Sequence, residues 1–179
     1  GSSSAGSRSH LFSDARGLLQ VAEQLMGPAP ANYPRGIWLL ESGQLALAEN
    51  HISQVKEQLS KAAFLFESNN QRILAGRSNL LLAGALFALG EAGEAEKYLE
   101  KAFRIVSELD SQHVLVCAAR EVKPLLASPA LSPATGRRAR RLLEQVELFE
   151  GNLLPLRRSL RFREMEIPLS PPALSIQAL

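Results

Sequence analysis

The chain has 179 residues, with 46% hydrophobic and 21% charged residues, one Cys, one Trp and a formal net charge of +2. At roughly 100–200 residues per domain this length points to one domain, and the apolar share excludes a disordered chain. A lone Cys excludes a disulfide framework and a Cys-based zinc site and fits a reducing compartment, so a cytoplasmic location is expected.

Three scattered His residues, His10, His51 and His113, point away from a His-rich metal site. The longest apolar run, Leu80 to Leu89, is about half the ~18–20 residues that a membrane span needs. Leu, Ala, Glu and Arg dominate, and Thr135 is the only threonine. Strands favour the residue types that are scarce here and helices favour those that abound, so the fold class is all-α.

Residues 1–9 (GSSSAGSRS) read as a tag or linker remnant. A first helix is expected from Ser13 to Met26, capped by Ser13 or Asp14. Leu18, Leu19, Ala22, Leu25 and Met26 form its apolar face. Gly27-Pro28-Ala29-Pro30 ends it. A second segment, Pro34 to Ala48, carries Gly43 in its middle at a cost of about 1 kcal/mol against Ala, which suggests a closely crossing helix.

Asn50 is expected to cap an amphipathic helix with Ile52, Val55, Leu59, Ala62 and Phe66 on one face, ended by Ser68-Asn69-Asn70. The helix from Gln71 to Leu89 is almost wholly apolar from Leu80 onward and should be the most buried element. After a turn at Gly90 to Gly93, Glu94 opens a helix carrying Ala95, Tyr98, Leu99, Ala102, Phe103, Val106 and Leu109. Asp110 or Ser111 caps another, through Val114, Cys117, Ala118, Val122 and Leu126. Ser132 as N-cap and Pro133 at the first helical position start a helix to Glu150.

An internal offset of about 40 residues aligns Leu40 with Leu80, Gly43 with Ala83, Leu59 with Leu99, Ala62 with Ala102 and Phe66 with Val106. A helix pair of this size cannot bury its own apolar face, so stacked pairs share a core and an α-solenoid of helical hairpins follows.

The stretch Leu80-Leu-Leu-Ala-Gly-Ala-Leu-Phe-Ala-Leu-Gly90, with Gly93-Glu-Ala95 and Tyr98-Leu-Glu-Lys-Ala102-Phe103, resembles a tetratricopeptide (TPR) unit. Its period is nearer 40 than 34, and Glu108-Leu-Asp110 stands where the family has a closing Pro. Such long repeats are similar to those of large bacterial transcription activators of the SARP and LuxR types. The tail Pro171-Pro-Ala-Leu-Ser-Ile-Gln-Ala-Leu179 resembles the linker and first strand that open a SARP-type winged-helix domain. The resemblance implies a right-handed solenoid over residues 10–163. It also implies a Pro-rich linker and first strand of a further domain over residues 164–179, and DNA contact only through that neighbouring domain.

No pattern for catalysis is present: no phosphate-cradling Gly loop, no HExxH, no GxSxG and no carboxylate pair in an apolar setting. The chain is therefore read as non-enzymatic, without a cofactor or metal. Gly90-x-x-Gly93 sits between helices and reads as a hairpin turn. Cys117 falls on the apolar side of its expected helix and reads as a small buried hydrophobe, the alternative being a redox-sensing thiol, which would need exposure and a cation such as Arg120 three positions on. His113 lies near a helix start, where the dipole disfavours a charged imidazole.

Between Arg137 and Arg163 stand eight Arg (137, 138, 140, 141, 157, 158, 161, 163) against Glu144, Glu147 and Glu150. That block carries +5, so the rest of the chain carries −3. The arginines Arg137, Arg138, Arg140, Arg141, Arg157, Arg158, Arg161 and Arg163 form either a solvated or interdomain face or a phosphate-contacting one. By analogy with other solenoids, the first helix of each pair lines a ligand groove. Trp38, Glu41, Gln44, Arg77, Asn79 and Arg120 are the candidates for it, although Trp38 also suits the core. The expected partners are a protein or peptide segment or a small effector, with no membrane. A generic scaffold or a homodimer is the alternative.

Overall fold

The computed structural model describes residues 3–28, 31–108 and 112–164, with side chains described between Phe12 and Leu153. Every regular element among the described residues is helical. The chain divides into two compact units, residues 1–146 and 147–179.

In the first unit α1 spans Ser3–Met26, α2 Asn32–Ala48, α3 Ile52–Ser68, α4 Arg72–Ala88 and α5 Ala92–Ser107. A broken segment follows: a 3-10 turn Gln112–Leu115, α6 Val116–Ala119, a 3-10 turn Arg120–Val122 and α7 Lys123–Leu126. The last helix, α8, spans Pro133–Glu164. Among its described side chains the buried positions are Thr135, Ala139, Leu142 and Val146, all in the first unit, and Leu148 is exposed. Residues 147–163, expected as part of the repeat region, thus fall in the second unit, which continues the helix to Glu164.

Successive helices pack as antiparallel neighbours, α2 on α3, α3 on α4 and α4 on α5. The hairpin turns share one design. Asn50, Asn70 and Gly90 stand at intervals of 20 residues with φ of 64°, 54° and 81°. After each, a backbone N–H reaches back into the preceding helix: His51 to the Ala46 carbonyl at 2.8 Å, Gln71 to Phe66 at 2.8 Å and Glu91 to Leu86 at 2.9 Å. Together with the bonds Asn50 to Leu47, Asn70 to Glu67 and Gly90 to Phe87, these are Schellman closures. They assign Asn50 a different role from the N-cap expected of it. It is the left-handed residue that ends α2, a conformation Asn tolerates better than most side chains, while His51 precedes α3.

The 40-residue register is physical. A Cβ on Gly36 would lie 2.9 Å from Phe66 Cε1, and one on Gly76 would lie 2.8 Å from Val106 Cγ2. Position 36 plus 40 is 76, and 66 plus 40 is 106, so the same small-against-large contact recurs in both hairpins. Gly43 likewise admits Leu59, with its absent Cβ 2.6 Å from Leu59 Cδ2. The crossing partner that Gly43 implied in sequence is therefore α3.

Helix α4 is the core, as its composition implied: all residues from Ser78 to Leu86 are buried. Its leucines at 80, 81, 82 and 86 are 0–2% exposed, each worth about 1.5–3 kcal/mol of transfer free energy. They are covered by α3, α5, and the broken segment at 112–126.

Three expectations need correcting. The first helix starts at Ser3, not Ser13, because nothing between the two forces the backbone out of helical geometry. Its expected face also divides, with Leu18 and Leu25 73% and 83% exposed. The single helix expected through Leu126 is broken into short turns. Pro124 lacks an N–H and crowds the carbonyl one turn earlier, which favours the 3-10 stretch at 120–122. The break changes which side chains face inward. Val116, Ala118 and Ala119 are buried and Cys117 is exposed. α8 runs on past Glu150 through Gly151 and Pro155. The tail 165–179, where the linker and strand were expected, lies outside the described residues.

Val122 seats the broken segment on α4 at Gly84, where an added Cβ would fall inside the Val122 side chain. Gly84→Ala should lower stability by about 2 kcal/mol despite the better helix propensity of Ala, because a β-branched side chain cannot swing aside. Gly93→Ala, which meets open space, should be neutral or stabilising. Thermal unfolding of both variants, and of Gly84→Ala with Val122→Ala as the rescue, checks this.

Candidate functional site

Of the residues expected in a groove, three meet on the α2–α4 face. The Arg77 guanidinium donates to Glu41 Oε1 at 3.3 Å and to Gln44 Oε1 at 3.2 Å. Arg77 Nε is buried without a hydrogen-bond partner. Arg120 is half-buried at the start of its 3-10 turn.

The other two go elsewhere. Asn79 is fully buried, with its amide N donating to Glu67 Oε1 at 2.9 Å and to the Ala75 carbonyl at 2.8 Å. Glu67 also pairs with Lys101 at 2.7 Å, so Asn79 serves the join between α3, α4 and α5 rather than a surface. Trp38 turns to α1, its indole N–H donating to the Leu19 carbonyl at 3.1 Å.

The basic residues also separate. Arg138 stacks 4.8 Å from the centre of the Phe103 ring and donates to the Phe103 carbonyl at 2.8 Å, which ties α8 to α5. Arg137, Arg140 and Arg141 are exposed, and Arg140 Nε donates to the Gly136 carbonyl at 3.2 Å. Arg157, Arg158, Arg161 and Arg163 lie on the helical backbone of the second unit, and their side chains are outside the described residues.

A further recess among the described residues includes Trp38 but none of the other residues expected in the groove. A cleft of about 630 Å³ lies where the end of α1 passes over α2 and α3, lined by Glu23, Arg35, Trp38, Glu57, Gln58 and Lys61 among others. A second hollow, about 340 Å³, shares Glu23, Trp38, Gln54 and Gln58 with it and runs on to Ser42, Glu49 and Arg16. Ser42 Oγ and Gln58 Oε1 are buried there without a hydrogen-bond partner. The far end is tied by Arg16, whose Nε and terminal N donate to Glu49 Oε1 at 3.0 and 2.6 Å. At the near end Lys61 bonds Glu57 one turn away at 2.5 Å, and that hydrogen bond, then its charge, lowers the Glu57 pKa.

The sequence held one signal for this cleft. Lys101 crosses from α5 to Glu67 on α3, and the same pair shifted by 40 residues is Lys61 and Gly27. The acid that would close the α1–α3 seam is missing.

A third recess of about 400 Å³, between α5 and the start of α8, includes Lys97, Lys101, Arg104 and Arg138. Its edge is fixed by α5 carboxylates. Glu100 accepts from the Thr135 hydroxyl at 2.7 Å, and Glu96 accepts from the Ser132 N–H at 2.8 Å. Among the described residues no three His, Cys, Asp or Glu side chains converge as a metal site, and no helix is long and apolar enough to cross a membrane. No known protein family, curated protein or solved structure matches the chain.

The Ser132 hydroxyl, and after it the Ser132 backbone N–H, hold the Glu96 carboxyl below its ordinary 4.5. A depressed folded-state pKa stabilises the fold above the unfolded value, and the contribution is lost as pH falls through the folded one. Ser132→Ala should move the Glu96 titration back toward 4.5 in a carboxyl NMR experiment. It should also shrink the loss of stability on acidification below pH 4.5.

Proposed function

We propose that the chain is a non-catalytic interaction module of a multidomain bacterial transcription regulator, working in the cytoplasm. In this reading it binds a protein segment or small effector and so biases a neighbouring DNA-binding domain. The observation that carries the reading is the recurrence of the glycine contacts Gly36–Phe66 and Gly76–Val106 at one 40-residue offset. Each stacked hairpin touches only its neighbours, so such an array leaves long faces open to a partner. The TPR-like stretch Leu80 to Phe103 and the tail Pro171 to Leu179 support the regulator assignment by resemblance. On the α2–α4 face, Glu41, Gln44 and Arg77 offer a mixed-charge patch, with Arg120 following in chain order. The exposed arginines Arg137, Arg140 and Arg141 of α8 offer an interdomain or phosphate-facing surface. Control of this kind requires the partner to bind two states of the regulator with different affinity.

A second reading, self-association, has its own observation. Leu18, Val21 and Leu25 form an exposed apolar stripe on α1 at helical spacing. It predicts a concentration-dependent dimer in light scattering that Leu25→Glu abolishes.

Arg77→Glu placed in the chromosomal gene separates the readings. A regulatory module gives altered target transcripts at unchanged protein level. A generic scaffold gives a lost pull-down partner with transcripts unchanged. Unchanged transcripts and unchanged partners would remove the α2–α4 face from the function.

A further inference from the structure

The α1–α3 seam differs from the seam that follows it. Between α3 and α5, Lys101 bonds Glu67 at 2.7 Å and Lys56 bonds Glu91 at 2.8 Å, so both ends are closed by charge pairs. Shifted by 40 residues these pairs become Lys61 with Gly27 and Arg16 with His51. Arg16 still finds an acid, Glu49, two residues before His51. Lys61 finds none on α1 and folds back on Glu57. Arg16 is thus tied to the end of α2, and the Lys61 end of the seam stays open where the 630 Å³ cleft lies.

The walls of that opening are chemically unfinished. Gln58 Oε1 is buried and accepts no hydrogen bond, and Ser42 Oγ is in the same condition further along. A buried acceptor without a donor is costly, so it favours whatever ligand supplies one. Arg35 and Glu23 line the cleft with no charge partner among the described residues. Trp38 is fixed by its bond to Leu19 and stands between the two hollows, contributing to the wall of each.

We propose that this cleft binds an extended peptide segment carrying an apolar side chain followed by an acidic one. The proposal rests on reading the chain as an interaction module, and it places the recognition site on the α1–α3 side rather than on the α2–α4 face. Gln54 and Gln58 lie one turn apart on α3, about 6 Å along the axis. Residues i and i+2 of an extended chain are about 6.6 Å apart, so two carboxamides at this spacing match successive backbone groups on one edge of the peptide. A rotation of the Gln58 carboxamide toward the cleft lets its oxygen, buried and unpartnered in the free chain, accept a peptide N–H. The apolar side chain packs on the Trp38 ring. The acidic side chain meets Arg35.

The test uses a random heptapeptide display library selected on the intact chain, followed by the selected peptides resynthesised with blocked termini. Trp38 is the only tryptophan, so its emission reports occupancy directly. Selected peptides should share an apolar–acidic pattern and shift Trp38 emission. Gln58→Ala should weaken them about fivefold, the loss of one hydrogen bond. Arg35→Glu should remove the preference for the acid, and Gln145→Ala, exposed on α8 and outside the cleft lining, should change nothing. Circular dichroism confirms that each variant keeps its helices.

Peptides that bind equally well to Gln58→Ala and Arg35→Glu overturn the cleft site. If those peptides are lost with Arg77→Glu instead, the module reading stands on the other face. If no peptide is enriched over an unloaded surface, the cleft proposal falls. The module reading then falls with it only where Arg77→Glu also leaves transcripts and partners untouched.

Discussion

A helix that is apolar on every side can exist in water only if other elements surround it. α4 is such a helix: its buried run from Ser78 to Leu86 leaves no solvent face over more than two turns. The other helices of the first unit answer that demand. α3 and α5 cover two sides, and the broken segment at 112–126 covers a third. Close approach requires that one partner be small at each crossing, hence Gly76 under Val106 and Gly84 under Val122. Two polar groups caught inside are tied locally, the Ser78 hydroxyl to the Leu74 carbonyl and the Asn79 amide N to Ala75 and Glu67, while Asn79 Oδ1 is buried without a partner among the described residues.

The elements that were legible in the sequence are those whose own residues determine them. The three- and four-residue spacing of Val55, Leu59, Ala62 and Phe66, and of Ala95, Leu99, Ala102 and Val106, describes a helix face whatever it meets, and every one of these side chains is buried. The apolar run of α4 needed a surrounding shell on any account. What was misread depended on neighbours. Asn50 as a cap and Asn50 as a left-handed terminus are both favourable uses of the same side chain, and only the back-bond from His51 to Ala46 decides between them. Cys117 was assigned a face from an unbroken helical period, and Pro124 spoils that period from seven residues further along. Leu18 and Leu25 lie on the correct side of α1 by periodicity and still face solvent.

The candidate site was partly legible for the same reason. Glu41, Gln44 and Arg77 meet because α2 and α4 hold equivalent places in the repeat, which the 40-residue offset implied. Asn79 is only two positions from Arg77, and on a helix that is more than half a turn, enough to move it from the surface to the α3 side. The Trp38 cleft was not visible because it is defined by a missing interaction. Helix periodicity records the residues that make contacts. It does not record Gly27 standing where the next repeat has Glu67.

The register extends to α1 itself. Ala15, Leu19, Ala22 and Met26 fall 40 residues before Val55, Leu59, Ala62 and Phe66, so α1 has the pattern of a second helix of a hairpin, although its own inward residues are only half-buried. The side of α3 that lines the cleft with α1 includes Gln58 and Lys61. Forty residues earlier those positions are Leu18 and Val21, and Leu65 corresponds to Leu25. The apolar stripe of α1 is therefore the surface that, in the next turn of the stack, faces a neighbouring helix. Its exposure and the open seam have a common origin. α1 packs on α2 through the Leu19–Trp38 bond and the Arg16–Glu49 pair, without the sealed acid–base join that fixes α5 to α3. A helix held at Arg16 and Leu19 leaves room beyond them toward Met26, and there lie Arg35, which has no charge partner among the described residues, and the unsatisfied Gln58 acceptor.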